Sequence, residues 1–190
     1  MVTIVGNPRP RSRTLALAAD ASLALGTALG ARGIKLGQLR LVDLVTVLPS
    51  FLCGDGRVDE LTETACGADV LVVASPTLRA SYAGLLKLFL DLLPRNGLQG
   101  TLVVQLVTAA AERHRHAVEA HLKPVLTELG AVIPVPALSV LEADFPGAAE
   151  LVTRWCESTA PVLAAALADG QAGPAPRSLA DGQTTSHAVR

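Results

Sequence analysis

Short apolar runs alternate with longer segments of helical periodicity along this chain. Apolar runs at Val2–Val5, Val70–Ala74 and Leu102–Val107 predict buried strands, and the patterns at Lys35–Leu41 and Ala137–Leu141 predict two more. Because strand and helix patterns alternate, we expect an α/β fold with a mostly parallel sheet that is covered by helices on both faces.

Helical patterns fill the intervals between these strands. The predicted helices are Thr14–Arg32, Val58–Cys66, Ser81–Leu93, Glu112–Leu129 and Phe145–Ala168. Stop signals follow three of them: Gly33, Pro94 and Gly130. Phe51–Gly56 is predicted to be a loop. Pro124 lies inside the fourth helix and has no N–H to bond the carbonyl of Ala120, so we expect a bulge or kink around Ala120–His121.

The length and composition of the chain favour one domain with a separate tail. The chain has 190 residues, and half of them are hydrophobic, which is enough for a sizeable core. Residues 1–168 are therefore predicted to form a single domain. From Asp169 onward Gly, Pro, Ser, Thr and Gln dominate, and the segment 169–190 is predicted to be disordered because it cannot bury enough apolar surface.

Charge and cysteine content exclude several classes of protein. The net charge of −1 argues against a nucleic-acid-binding protein. The three cysteines form no Cys-x-x-Cys pair, which argues against a disulfide framework and a zinc site. His114, His116 and His121 lack a convincing further ligand, so no metal site is predicted. No apolar run is long enough for a membrane span or a signal peptide, and we expect a cytoplasmic protein.

A basic, hydroxyl-rich loop, Gly6–Thr14, follows the first predicted strand and opens the first helix. The N–H groups at a helix N-terminus suit an anion, and Ser12, Arg13 and Thr14 could add hydrogen bonds and charge. The loop carries neither the Walker nor the Gly-x-Gly-x-x-Gly signature, and so it fits a phosphate monoester better than a triphosphate or a dinucleotide. The alternative is a simple N-cap, worth about 1 kcal/mol to stability. The loop alone leaves both readings open.

A second polar loop follows the buried strand Val70–Ala74. It begins Ser75-Pro76-Thr77 and leads towards an amphipathic helix, and such a junction is a usual ligand site in an α/β protein. Its composition suits a flat ring. Together the two loops suggest a mononucleotide such as a flavin.

Three segments of the chain carry a resemblance to a known family. They are Gly6–Arg9 with Ser12–Thr14, then Ser75–Lys87 followed by Phe89–Pro94 and Gly97–Gly100, and later Leu122–Leu126 with Leu129–Ala131. They resemble the NAD(P)H-dependent FMN reductases of the flavodoxin-like fold, especially the reductase partners of two-component alkanesulfonate monooxygenases. The likeness covers roughly residues 2–142. It implies a three-layer sandwich with a five-stranded parallel sheet in the order 2-1-3-4-5.

The resemblance also implies ligands and contacts. FMN is the implied flavin and NADPH or NADH the implied hydride donor. The FMN phosphate would be held near Arg9, Ser12, Arg13 and Thr14. The isoalloxazine ring would contact Pro76, Thr77, Leu78 and Arg79, and its other edge Thr108, Ala109 and Ala110. No catalytic side chain is expected, because the cofactor supplies the hydride chemistry.

Four residues depart from the family pattern. Leu78 stands where an aromatic residue is usual, and Ala109-Ala110 stand where Gly-Gly is usual, which suggests that FMN is a loosely held substrate. Ala120 stands where members often carry Tyr, in a π-helical insertion at a tetramer interface.

The resemblance implies two kinds of protein partner. A separate monooxygenase would receive the reduced FMN, and an apolar stripe on the helix Glu112–Leu129 suggests a homodimer or homotetramer. Two alternatives remain open. One is an enzyme that retains FMN and reduces quinones or azo dyes, and the other is a non-catalytic FMN-binding oligomeric protein.

Overall fold

A parallel sheet organises the protein. The computed structural model describes residues 1–116 and 118–170, without the side chain of Glu119. Within this part the strands are β1 (Val2–Val5), β2 (Arg40–Asp43), β3 (Val70–Leu78), β4 (Ser81–Tyr82), β5 (Leu102–Ala109) and β6 (Leu138–Leu141). Five of them are parallel, in the order β2-β1-β3-β5-β6, and β4 pairs antiparallel with the end of β3. The predicted order is confirmed, with β4 as an added strand.

Helices follow the strands in alternation. The α-helices are α1 (Arg13–Gly30), α2 (Leu48–Cys53), α3 (Arg57–Cys66), α4 (Gly84–Leu90), α5 (Lys123–Glu128) and α6 (Ala148–Ala168). Short 3-10 helices span Leu44–Val47, Glu112–His114 and Glu142–Gly147, and a π-helix spans Val118–Leu122. In the described part of the chain, no helix combines the length and the apolar character needed to cross a membrane. Residues 171–190, most of the tail predicted to be disordered, lie outside the described residues.

The core has two halves, one on each face of the sheet. Side chains of α1 and α6 form one half, with Leu102, Val104 and Leu106 of β5. The other half contains side chains from α3, α4 and the π-helix, with Val103 and Val107 of β5. Every residue of β5 is buried, as expected for a central parallel strand.

Two predictions in the second βα unit are wrong. The second strand is Arg40–Asp43, not Lys35–Leu41, because Ile34 and Leu36 pack against the core at α1 instead of joining the sheet. Residues of the predicted loop Phe51–Gly56 form part of α2. This helix has a proline in its first turn and ends at Gly54, whose φ of 63° lies in the left-handed region.

The helix predicted over Ser81–Leu93 begins later. β3 continues to Leu78, and the chain turns back into β4 before α4 starts at Gly84. The hydroxyl of Ser75 explains this arrangement, because it accepts a hydrogen bond of 2.9 Å from the N–H of Ala83 and so holds the hairpin against β3.

The long helix predicted over Glu112–Leu129 is divided into the 3-10 helix, the π-helix and α5. The bulge expected around Ala120–His121 is confirmed as the π-helix Val118–Leu122. Pro124 follows it in the first turn of α5, where its missing N–H is tolerated. The π-helix packs against β4. The segment therefore contributes to the wall beside the hairpin.

Candidate functional site

A cavity of about 690 Å³ lies at the carboxyl ends of the parallel strands. Its volume is within the range of about 300–1,000 Å³ found for small-molecule sites, and this edge of a parallel sheet is where α/β proteins bind ligands. The lining residues are Asn7, Pro8, Arg9, Pro10, Arg11, Ser12, Arg13, Thr14, Pro76, Thr77, Leu78, Thr108, Ala110, Glu142 and Phe145. The predicted site residues line this cavity, with the exception of Arg79 and Ala109.

One end of the cavity is the N-terminus of α1. Ser12 is the N-cap, and its Oγ accepts a hydrogen bond of 3.1 Å from the N–H of Leu15. The N–H groups of Arg13 and Thr14 precede the first intrahelical bonds and therefore have no acceptor within the helix. The hydroxyl of Ser12 can still donate its own hydrogen. The N-cap and an anion site are thus compatible in the same residue.

Three arginines surround this end of the cavity. Arg9, Arg11 and Arg13 are exposed and line it. Among the described residues, no carboxylate lies within ion-pair distance of any of the three. Arg11 has a φ of 52°, a left-handed conformation that is costly for a residue other than glycine. The loop therefore holds unneutralised positive charge in a strained turn.

A buried hydrogen-bond network joins the first loop to β5. The amide of Asn7 donates to Thr14 Oγ1 at 3.0 Å, and Thr14 Oγ1 lies 2.7 Å from Thr108 Oγ1. Thr14 is 1% exposed. Its hydroxyl is thus already engaged within the protein, and its clearest contribution is to fix the loop relative to β5.

The hairpin of β3 and β4 forms the opposite wall. Pro76, Thr77 and Leu78 line the cavity, and Leu78 is 44% exposed. Ser75 Oγ also donates to the carbonyl of Pro76 at 2.9 Å, which fixes the backbone of the wall. Thr77 Oγ1 is buried and has no hydrogen-bond partner among the described residues. The wall thus offers the apolar side chains of Pro76 and Leu78 on a backbone that Ser75 holds in place.

Arg79 does not line the cavity because it lies at the tip of the hairpin. Arg79 and Ala80 connect β3 to β4 and have φ values of 52° and 61°. A two-residue hairpin turn of this hand normally takes Asn or Gly. Nearby, burial raises the pKa of Tyr82, so the phenol stays neutral at physiological pH.

The end of β5 supplies the third side of the cavity. Thr108 and Ala110 line it, whereas Ala109 is 1% exposed and lies within the sheet. Neither Ala109 nor Ala110 has a positive φ. The backbone at this position therefore does not require the glycines that are usual in the resembled family.

The cavity is also lined by Asn7, Pro8, Pro10 and Arg11, which belong to the predicted loop but were not named as contacts, and by Glu142 and Phe145, which no prediction included. Asn7 follows a strand, and its Oδ1 accepts from the N–H of Arg9 at 2.9 Å, an Asx-turn pattern that could have indicated a structural role. Glu142 and Phe145 come from the 3-10 helix after β6. The pattern there predicts only a helix start, so no sequence signal pointed to them.

These residues fit FMN. The helix N-terminus, Ser12 and the arginines provide donors and positive charge for a phosphate dianion. The hairpin wall provides Pro76, Thr77 and Leu78 for contact with a ring. The two sets of residues lie in one cavity, as a mononucleotide with a ring at one end requires.

Comparison with known proteins settles the family. The NADPH-dependent FMN reductase family matches residues 1–144. The chain belongs to this family. It is therefore an oxidoreductase, with FMN and NADPH or NADH as its cofactors or substrates.

Individual relatives agree with this membership. An FMN reductase (NADPH) of Pseudomonas aeruginosa is 32% identical over 148 residues, which cover 76% of this chain and 78% of that protein. An FMN reductase (NADPH) of Escherichia coli is 49% identical over 70 residues, which cover only 37% of each protein. An NADH-dependent FMN reductase, SfnF, of Pseudomonas putida is 33% identical over 66% of this chain and 68% of that protein.

Solved structures agree on the fold. An oxidoreductase from Corynebacterium diphtheriae is 25% identical, with a TM-score of 0.75 over 85% of this chain and 95% of that chain. The apo form of the NADH:FMN oxidoreductase EMOB is 29% identical, with a TM-score of 0.68 over 83% and 88% of the two chains. A WrbA-like flavodoxin from Agrobacterium tumefaciens, 13% identical with a TM-score of 0.60 over 85% and 96% of the two chains, shares the fold alone. The flavodoxin-like fold is confirmed.

Proposed function

We propose that FMN binds in the cavity with its phosphate at the N-terminus of α1 and its ring against the hairpin. The phosphate contacts would be Ser12, Arg13 and the backbone N–H of Thr14, with Arg9 nearby. Pro76, Thr77 and Leu78 would support the ring, and Thr108 and Ala110 would lie at its other edge. The observation that carries this proposal is that the arginines of the Gly6–Thr14 loop and the residues Pro76–Leu78 of the hairpin line the same cavity.

The reaction in this site is NAD(P)H + H⁺ + FMN → NAD(P)⁺ + FMNH₂, in which the two cofactors supply the hydride chemistry. The protein contributes binding and orientation. The phosphate contacts fix one end of the flavin, and the hairpin backbone, held by Ser75, fixes the plane of the ring. None of the residues that line the cavity is required as a general acid or base.

We propose further that FMN is a substrate that leaves the site after reduction, and that a separate monooxygenase consumes it. The exposed Leu78 offers less ring contact than an aromatic side chain would, which favours release. The resemblance to reductase partners of two-component monooxygenases supports the transfer. A cytoplasmic location agrees with three cysteines that form no disulfide.

The same resemblance supports a homodimer or homotetramer. The π-helix packs on β4, and an assembly formed through this segment would stiffen the hairpin wall of the cavity. Sedimentation at micromolar concentration is expected to show an oligomer. If only monomer sedimented, the proposed assembly would be contradicted, and the proposed placement of FMN in the cavity would stand.

Steady-state oxidation of NADPH and NADH, with and without added FMN, tests the enzymatic proposal. We expect the rate to be near zero without FMN and to rise hyperbolically as FMN is added. A protein that oxidises neither nucleotide with any concentration of FMN would contradict the proposal.

An anaerobic experiment tests release of the flavin. With excess NADH or NADPH and FMN in large excess over protein, all of the FMN should become reduced, because each site must exchange its product for new substrate. Reduction that stops after a single equivalent per site would contradict release and would favour an enzyme that retains its flavin.

A further inference from the structure

We infer that Phe145 positions Arg13 for the phosphate of FMN, so that the segment after β6 helps to set the preference for phosphorylated flavin. This inference rests on the proposed placement of FMN. Phe145 belongs to the 3-10 helix Glu142–Gly147, one residue beyond the segment 1–144 that matches the family. Both Phe145 and Arg13 line the cavity.

The geometry of the pair is that of a cation–π contact. The guanidinium carbon of Arg13 lies 5.4 Å from the centroid of the Phe145 ring, inside the limit of about 6 Å for this interaction. The N–H donors of a guanidinium lie in its own plane. A contact with an aromatic ring occupies none of these donors with a conventional hydrogen-bond acceptor, so they remain available for a bidentate contact with phosphate.

The ring of Phe145 is a fixed platform for this contact. It packs against the half of the core that contains α1 and α6. The segment that carries it is tied to the loop after β5, because Arg115 lies 3.7 Å from Asp144 and donates to the carbonyl of Ser139 at 3.5 Å. The ring can thus restrain Arg13 without moving with it.

Arg13 differs in this respect from the other two arginines of the loop. Arg9 and Arg11 have no aromatic partner among the described residues, and all three lack a carboxylate partner there. An unrestrained arginine loses rotamer freedom when it binds phosphate, and a pre-positioned one loses less. Phe145 should therefore strengthen the contact between Arg13 and the phosphate and leave the ring end of the site unchanged.

The test compares FMN with riboflavin, which has the same ring and no phosphate. Equilibrium dissociation constants for both flavins are measured by quenching of flavin fluorescence, without nicotinamide nucleotide, on wild type, Phe145→Leu and Phe145→Tyr. Phe145→Leu should raise the dissociation constant for FMN about three- to tenfold. It should change that for riboflavin by less than about twofold, and Phe145→Tyr, which keeps the aromatic face, should resemble wild type.

A double-mutant cycle shows whether Phe145 acts through Arg13. In an Arg13→Gln background, Phe145→Leu should have little further effect on FMN binding, since the side chain that it positions is gone. Arg13 is exposed, so Arg13→Gln should fold. If Phe145→Leu does not fold, the two dissociation constants are measured instead on three single variants, Arg13→Gln, Phe145→Tyr and Phe145→Trp. The aromatic variants should then keep the preference for FMN, and Arg13→Gln should lose it.

The outcomes separate this inference from the proposed function. A wild type that prefers FMN, together with a Phe145→Leu variant that keeps the full preference, would overturn the role of Phe145 alone. If Phe145→Leu weakened the binding of FMN and of riboflavin by the same factor, the role of Phe145 would also be overturned, because the substitution would then affect the whole cavity. A wild type that binds FMN and riboflavin equally would overturn the phosphate placement and this inference with it.

Discussion

The two loops that face each other across the cavity are built in opposite ways. Gly6–Thr14 carries exposed arginines and leads into an 18-residue helix, so its binding chemistry lies in charge and in unpaired N–H groups. The hairpin Val70–Tyr82 is held by the two hydrogen bonds of Ser75, so its contribution lies in the shape of its backbone. Substitutions in the first loop should therefore weaken the binding of FMN more than that of riboflavin. Substitutions in the hairpin should weaken the binding of both flavins by the same factor.

The largest effect is expected where the first loop packs against α4, the helix that follows the hairpin. A Cβ at Gly6 would lie 2.4 Å from Cβ of Leu86 in α4, which no flexible side chain can relieve. Gly6→Ala should therefore lower the free energy of unfolding by about 3 kcal/mol, as measured by urea denaturation. Gly30→Ala is the matched control, because a Cβ there meets nothing within 4 Å. Equal stabilities for the two variants would contradict the close packing of the first loop on α4.

The next effect separates the cap of α1 from the anion site. Ser12→Asp keeps an acceptor for the N–H of Leu15 but adds negative charge beside the phosphate. We expect unchanged thermal stability and an FMN dissociation constant raised by about 30-fold or more, with little change for riboflavin. Ser12→Ala should instead cost about 1 kcal/mol of stability. If Ser12→Asp bound FMN as tightly as wild type, the phosphate would lie elsewhere.

A smaller effect is expected in the hairpin. Ser75→Ala removes the acceptor for the buried N–H of Ala83, which should cost about 1–2 kcal/mol of stability. It should weaken binding of FMN and riboflavin by the same factor, because it loosens the wall and leaves the phosphate contacts in place. Ser158→Ala on α6, which removes an exposed hydroxyl bond to Trp155, is the control. A selective loss of FMN binding in Ser75→Ala would contradict the division between the two loops.

The smallest effect concerns Asp43 of β2, which pairs with Val5, the last residue of β1 before the first loop. Burial, partly offset by a backbone hydrogen bond to Val45, raises the pKa of this carboxyl above its usual 3.8. The native state therefore holds the proton more tightly than the unfolded state, and stability falls as pH rises from 3.8 through the raised pKa. Asp43→Asn should be slightly more stable than wild type at neutral pH. Urea titrations should show that this difference in the free energy of unfolding shrinks as the pH is lowered towards 3.8. A difference that does not change with pH would contradict a raised pKa of Asp43.

Sequence reasoning recovered what depends on regular patterns. The buried strands β1, β3 and β5 read clearly because they are apolar runs between polar loops, and their order placed the two binding loops at one edge of the sheet. Pro124, which lacks an N–H, predicts a bulge around Ala120–His121, and the structure has the π-helix Val118–Leu122 there. These features follow from local chemistry that the sequence shows directly.

What was missed depends on particular side-chain contacts and not on periodic patterns. The hairpin of β3 and β4 is held by the hydrogen bond that Ser75 accepts from the N–H of Ala83, and such a bond leaves no periodic signal. The engagement of the Thr14 hydroxyl with Thr108 joins residues 94 positions apart. Phe145 reached the cavity because the segment after β6 folds over α1, which an apolar residue at a helix start does not reveal.

The central claim is the direction in which FMN lies in the cavity, and a crystal structure of the protein with FMN tests it most directly. The account predicts phosphate oxygens within hydrogen-bond distance of Ser12 Oγ and the Arg13 guanidinium, with the ring against Pro76–Leu78. A flavin with its ring at Gly6–Thr14, or with its phosphate at the loop that carries Arg113 and Arg115, would contradict it.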